Sequence, residues 1–162
     1  MSEFSIICRA FDDGEEIPKH CGYKHENSEP GIDFANIPIE TKTIALIMDD
    51  PDAMAAVGKV WVHWLQCWPV GGGIYPDTNE KEPEGLIRIS RNNFVVGKND
   101  FGESYYGGPA PPDKRHTYIF KAYALDTDLD LKEGFSKQEL EDAMKGHIIA
   151  EAKLTGTYAP DQ

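Results

Sequence analysis

The run Thr43-Ile44-Ala45-Leu46-Ile47-Met48 carries no charge and no polar alternation, so a strand built on it has to be buried on both faces. It predicts the central strand of a sheet. Val60 to Trp68 sets Val60, Val62, Trp64, Gln66 and Trp68 against Trp61, His63, Leu65 and Cys67, which predicts that His63 shares a face with Trp61 and Leu65. Thr117 to Leu125 alternates likewise, with Tyr118, Phe120, Ala122 and Ala124 on one side and Ile119, Lys121, Tyr123 and Leu125 on the other. Phe4 to Phe11, Leu86 to Ser90, Asn93 to Val96 and Ala150 to Tyr158 are further strand candidates, while Gly71-Gly72-Gly73 and Asn79 to Gly85 read as loops.

Helical period is clear in one place. Ser136-Lys137-Gln138-Glu139 forms a capping box, and Leu140, Ala143, Met144 and His147 follow at spacings of three and four. This predicts a short amphipathic helix ending near Gly146, with His147 favouring its C-terminal end through its charge. Many strands with one late helix argue for a mainly all-β fold, a sandwich of two sheets in a single domain. The 162 residues suffice for one core without staples.

Charge narrows the partners. Lys plus Arg number 16 against 28 Asp plus Glu, and a net charge of -12 opposes nucleic acid or an anionic lipid surface as a partner. Cys8, Cys21 and Cys67 are odd in number and far apart, forming neither a disulfide framework nor a Cys-x-x-Cys pair. With an acidic Met1-Ser2-Glu3 start and no apolar stretch of spanning length, the expectation is a cytoplasmic protein without a membrane span.

Two segments carry the chemistry. Asp49-Asp50-Pro51-Asp52-Ala53 precedes Val62-His63-Trp64, and Gly107-Gly108-Pro109-Ala110-Pro111-Pro112-Asp113 precedes His116-Thr117-Tyr118. Each sets an imidazole on a strand beside a turn that Pro or Gly has stiffened. Alone, the first is a capped turn closing a buried strand, the second a stiff surface turn, and His63 a satisfied core histidine. Together they favour one shared site, because polar groups at two strand ends are costly to bury without a common polar purpose. Imidazolium, phenol and amide donors suit a small anion. His20, Cys21 and His25 lack the further ligands that a zinc site needs, so no metal and no cofactor is expected.

These segments, with Trp61-Val62-His63-Trp64, Gly97-Lys98-Asn99-Asp100-Phe101-Gly102, Tyr123-Ala124-Leu125-Asp126, Gly146-His147-Ile148 and Leu154-Thr155-Gly156-Thr157-Tyr158, resemble the phosphatidylethanolamine-binding protein family, also called Raf kinase inhibitor-like proteins. Their order and spacing are those of the bacterial and archaeal branch. The resemblance implies two packed sheets in Greek-key order with one or two short helices. It also implies an anion-binding pocket at Asp50, His63, Gly108, Ala110, Pro112, His116 and Tyr118, rimmed by Asp52, Trp61 and Pro111. Phosphate, phosphoethanolamine and other phosphorylated head groups, and carboxylates are the ligand classes it implies. A kinase or protease partner and a homodimer are further implications.

Within that pocket a carboxylate is unfavourable to an anion by itself, so Asp50 is expected to accept a hydrogen bond from His63 or His116 and orient it. His63, His116, Tyr118 and a backbone N–H near Ala110 are the expected donors. This predicts binding that weakens as the histidines lose their protons. The alternative is a hydrolase or metal-dependent enzyme using Asp50, His63 and His116. No Gly-x-Ser-x-Gly elbow, Walker loop or His-Glu-x-x-His helix supports it. The chain departs from the family pattern at Met54, at Thr117 where Arg is usual, and in Glu29-Pro30-Gly31-Ile32-Asp33-Phe34. Thr117 is expected to remove a cation from the pocket mouth. An end at Gln162 leaves no room for the C-terminal helix of eukaryotic relatives.

Overall fold

The computed structural model describes residues 3–74, 87–89 and 93–161, with the backbone alone for 71–74 and 87–89. Strand β1 (Ser5–Cys8) pairs with β2 (Ile32–Ala35) in a small sheet. The larger sheet holds β3 (Thr43–Asp50), β4 (Trp61–Ile74), β5 (Ile87–Ile89), β6 (Val95–Val96), β7 (His116–Leu125) and β8 (Ile148–Tyr158). Its order is β5-β4-β3-β7-β8, with β6 also on β4, and every pairing is antiparallel. Among the described residues the α-helices are α1 (Ala53–Val57) and α2 (Lys137–Met144).

The apolar run beginning at Thr43 is the central strand, buried along its whole length. Alternate side chains feed two cores. Ile44, Leu46 and Met48 join Phe120, Ala122 and Ala124 from β7 and meet Phe4, Ile6, Ile32 and Phe34 of the small sheet, which makes the fold a two-sheet sandwich. Ala45 and Ile47 point the other way, toward Leu125, Phe135, and Leu140 and Met144 of α2. Full burial of each large aliphatic side chain contributes about 1.5–3 kcal/mol, so losing cover on either face would be felt. The alternation in β7 holds, with Tyr118, Phe120, Ala122 and Ala124 in the first core and Leu125 in the second.

Alternation fails in β4 at one place. Met48 faces Trp64 and Asp49 faces Val62, which leaves His63 as the extra residue of a bulge. Val62 therefore joins Leu65 and Cys67 in the second core, while Trp64 and Trp68 serve the first. His63 does not follow Leu65 as a strict two-residue period requires. The Gly71-Gly72-Gly73 stretch also differs from the loop expected of it, because it lies within β4, where Val70 opposes Ile89 and Ile74 opposes Ile87. Backbone pairing needs no side chain. Asn79 to Gly85 lie outside the described residues.

The capping box is formed in full, with Ser136 Oγ accepting from the Glu139 N–H and Glu139 accepting from the Ser136 N–H. His147 lies beyond the last helical turn, and its ring meets Asp126 at 2.8 Å. An ion-pair partner, rather than the helix end, occupies it. Strand β2 was not anticipated, and the second of the one or two short helices expected, α1, was not located from the sequence. β2 is four residues long with only Ile32 and Phe34 turned inward, and the side chain of Asp52 makes no cap bond to α1.

Candidate functional site

Strand β3 ends in two carboxylates that part company. Asp49 turns toward Lys121 and Lys137, with Oδ2 3.6 and 3.4 Å from their ammonium groups. Asp50 turns the other way and places Oδ2 2.6 Å from His116 Nδ1 at the start of β7. On the far side of His116, Nε2 lies 2.7 Å from Asp113 Oδ1. Both nitrogens of a buried imidazole are thus held by carboxylates.

The loop from Gly97 to Asp113 is anchored through its backbone and Asn side chains. Asn99 donates to Tyr105 O and accepts from the Phe101 and Glu103 N–H groups, which folds the turn on itself. Asp100 accepts from the Val62 N–H at 2.7 Å, tying that turn to the bulge. Gly107 donates its N–H to His63 O, and its own carbonyl accepts from His63 Nδ1 at 2.7 Å. A Cβ on Gly107 would stand 2.6 Å from the Phe101 ring, so a side chain there would displace this wall.

These elements enclose a cavity of about 140 Å³ lined by Asp50, Trp61, His63, His116 and Tyr118, by Ala110, Pro111 and Pro112 of the loop, by Phe101, and by Ala53, Ala56 and Val57 of α1. Eight of the ten residues expected at the pocket and its rim meet there. Gly108 and Asp52 do not. The Gly108 N–H donates to Asn27 Oδ1 at 2.7 Å, and a Cβ on Gly108 would fall 2.0 Å from Cys21 O, so the glycine packs closely behind the wall while its backbone lies beside His63. Asp52 accepts from the Thr117 N–H, joining the turn before α1 to β7. The Thr117 side chain is exposed on the opposite side of the strand from His116 and Tyr118.

Asp113, Phe101 and the α1 residues belong to the site but were not singled out from sequence. Asp113 stands three residues before His116, and that spacing was the available signal. The His20, Cys21 and His25 group disperses, with Cys21 sealed in the core and His25 paired with Asp161. Among the described residues no three His, Cys, Asp or Glu side chains are grouped to hold a metal.

Electrostatically the two histidines diverge. Burial lowers the His63 pKa to about 4, against the weaker opposing pull of the Gly107 carbonyl, so His63 is neutral at pH 7. Donation from Nδ1 to that carbonyl leaves Nε2 with the lone pair. For His116 burial also disfavours the charge, but the bonds to Asp50 and Asp113 outweigh it and raise the pKa. Burial raises the Asp50 pKa despite its bond to His116. The expectation that Asp50 orients an imidazole is met at His116, whereas His63 is not the cationic donor that was expected. His116 has no free ring nitrogen to offer in this arrangement.

On residues that line the cavity, Asp50 Oδ1, Trp61 Nε1 and the Tyr118 hydroxyl are buried without a well-formed hydrogen bond, although Tyr118 faces Asp50 and the Ala110 backbone and Asp50 faces the Asp52 backbone. Burial pushes the Tyr118 pKa well up, so the phenol stays protonated and is a donor. Leaving such groups wholly unpaired would cost about 1–3 kcal/mol each.

Comparison with known proteins follows the same outline. The family model described as phosphatidylethanolamine-binding protein matches residues 8–159. A UPF0098 protein of Methanothermobacter thermautotrophicus is 43% identical over 156 residues, covering 95% of this chain and 97% of its own, and one of Chlamydia muridarum is 39% identical over 158 residues, covering 96% and 99%. The crystal structure of a homologue from Chlamydia trachomatis superposes with a TM-score of 0.79 at 34% identity, covering 99% of this chain and 100% of that one. YbcL of E. coli gives 0.74 at 28% identity, with the same coverage. With its sandwich, its two histidine segments and its bacterial and archaeal relatives, the chain belongs to the phosphatidylethanolamine-binding protein family.

Proposed function

We propose that the cavity between β3, β4, β7 and the Gly107–Asp113 loop binds a small anion, of the class of phosphate, a phosphorylated head group or a carboxylate. The observation that carries this reading is the convergence of Trp61, His63, His116 and Tyr118 on one cavity, with the Tyr118 hydroxyl and Trp61 Nε1 buried as donors without a well-formed bond and the His116 pKa raised by its carboxylate partners. Acceptor oxygens on a ligand would satisfy both. His116, when protonated, contributes charge from behind its carboxylate partners, so affinity falls as pH rises through its raised pKa. His63, neutral throughout that range, contributes shape and an acceptor.

Calorimetric titration of wild type and Tyr118→Phe with phosphate, phosphoethanolamine and acetate tests the reading. Removing one hydrogen bond to a charged ligand costs about 1.5–3 kcal/mol, so the variant is expected to bind phosphate at least about tenfold more weakly. No binding of any of the three by wild type would reject the proposal. Occupancy of the cavity is then the natural control over a protein partner, a kinase or protease in keeping with the family resemblance. Affinity capture with wild type and a His63→Ala, His116→Ala double variant tests that step. A hydrolytic use of the same cluster is disfavoured because both His116 nitrogens and His63 Nδ1 are already committed.

A further inference from the structure

Strand β8 ends the larger sheet, with β7 on one side and, along part of its length, the segment 13–17 on the other. Gly14 donates to Thr155 O, Asp13 accepts from the Thr155 N–H, and Thr157 donates to Glu15 O and accepts from the Ile17 N–H. Residues 155 and 157 thus turn their backbone groups away from β7, and by the two-residue period of a strand Lys153 and Glu151 do the same. Among the described residues nothing pairs with those outward groups of Glu151 and Lys153. At the other end Ala150 faces Ala124 and Ile148 faces Leu125, which leaves Ile149 as the extra residue of a bulge. A regular, uncovered edge therefore runs over residues 150–154, and Ala152 is its midpoint.

Lys121, Tyr123, Glu151, Ala152 and Lys153 line an open groove along this edge. Lys153 lies directly across from Lys121, and Glu151 across from Tyr123. These are non-hydrogen-bonded positions of the β7 and β8 pair, where facing side chains come closest, and like charges there are destabilising. Asp49 offsets Lys121 at 3.6 Å, but it is shared with Lys137, and Lys153 has no ion-pair partner among the described residues. A lone lysine would guard an open edge against pairing. A lysine two residues from a glutamate on the same face is instead complementary to its own copy.

We propose that β8 pairs with β8 of a second copy of this chain, antiparallel about a two-fold axis at Ala152, joining the two larger sheets into one. In that register Glu151 stands opposite Lys153 of the second copy and Lys153 opposite its Glu151, and the outward N–H and C=O groups of these residues close a backbone ladder. Each Lys121 and Lys153 pair gains a carboxylate beside it. A shift of one pairing step sets Glu151 against Glu151 and needs the bulged Ile149, or sets Lys153 against Lys153 and needs the covered Thr155. Charge and free length thus select the same register. The axis lies toward the end of β7 away from His116, so the pairing neither uses nor depends on the anion cavity. Family resemblance implies a homodimer but supplies neither this surface nor this register.

Sedimentation velocity on the full chain from about 1 μM to about 1 mM tests the pairing, and wild type is expected to dimerise within that range. Glu151→Lys and Lys153→Glu each set like charges across both contacts and should weaken the dimer about tenfold or more. Both side chains are exposed, so the exchanges leave the core untouched. Mixed in equal amounts, the two variants are complementary again and should form a heterodimer about as tight as the wild-type dimer. The double exchange Glu151→Lys, Lys153→Glu should likewise recover self-association. A wild type that stays monomeric across the range would overturn the proposal. So would a dimer that neither single exchange weakens, or one that the mixture fails to restore.

Discussion

His63 and His116 line one cavity and are almost equally buried, 3% and 1% exposed, yet their pKa values are shifted in opposite directions. His63 meets a backbone carbonyl and two aromatic neighbours, Phe101 and Tyr118, at ring distances of 5.6 and 5.1 Å. His116 meets two carboxylates. Burial penalises the imidazolium in both, and only a full opposite charge within hydrogen-bond reach reverses the outcome. One wall of the cavity is therefore built on a neutral, shape-defining imidazole, the other on an imidazole held between carboxylates.

The largest test of this contrast is His116→Ala. It strands the buried Asp50 carboxylate, and breaking such a pair costs about 3–5 kcal/mol in urea-denaturation experiments. A loss below about 1 kcal/mol would reduce the arrangement to the standing of a surface ion pair. Next comes the acid limb of stability. The folded His63 pKa of about 4 lies below its ordinary 6.5, so its contribution is present above the unfolded value and is lost as pH falls from 6.5 toward 4. The full loss is about 3 kcal/mol, and comparison with His63→Gln isolates it. His116 behaves in reverse: its contribution is present below the unfolded pKa and lost as pH rises through the raised folded value. Imidazole resonances followed by NMR should separate the two, and coincident titrations would erase the contrast. The smallest effect is expected for Asp113→Asn, because Asp113 is 40% exposed: little change of stability, with the His116 pKa moved down toward the ordinary value.

Much of this was legible in the chain. The uncharged run from Ile44 to Met48 announced the central strand because a double-sided core tolerates nothing else, and Ser136 to Glu139 announced α2 because capping is a local bond between neighbours. The two turn-and-histidine segments pointed to one site, and the cavity brings their key side chains together. The bulge at His63 was not legible. It depends on where β3 sets the register of β4. The close packing of Gly108 was not legible for a related reason, since what limits a side chain there is Cys21 O from a segment more than eighty positions away.

What the sequence alone determined was therefore every property carried by near neighbours: strand periodicity, the capped helix, the stiff turns and the residue types at the cavity. Tertiary structure decided which hydrogen each residue gives or receives. An imidazole carries no record of its future partner, and the choice between the Gly107 carbonyl and the Asp50 and Asp113 carboxylates is made by strand register and loop packing. In a buried site that choice sets the charge, because the energy of an ion out of water depends more on the atom it touches than on its own chemistry.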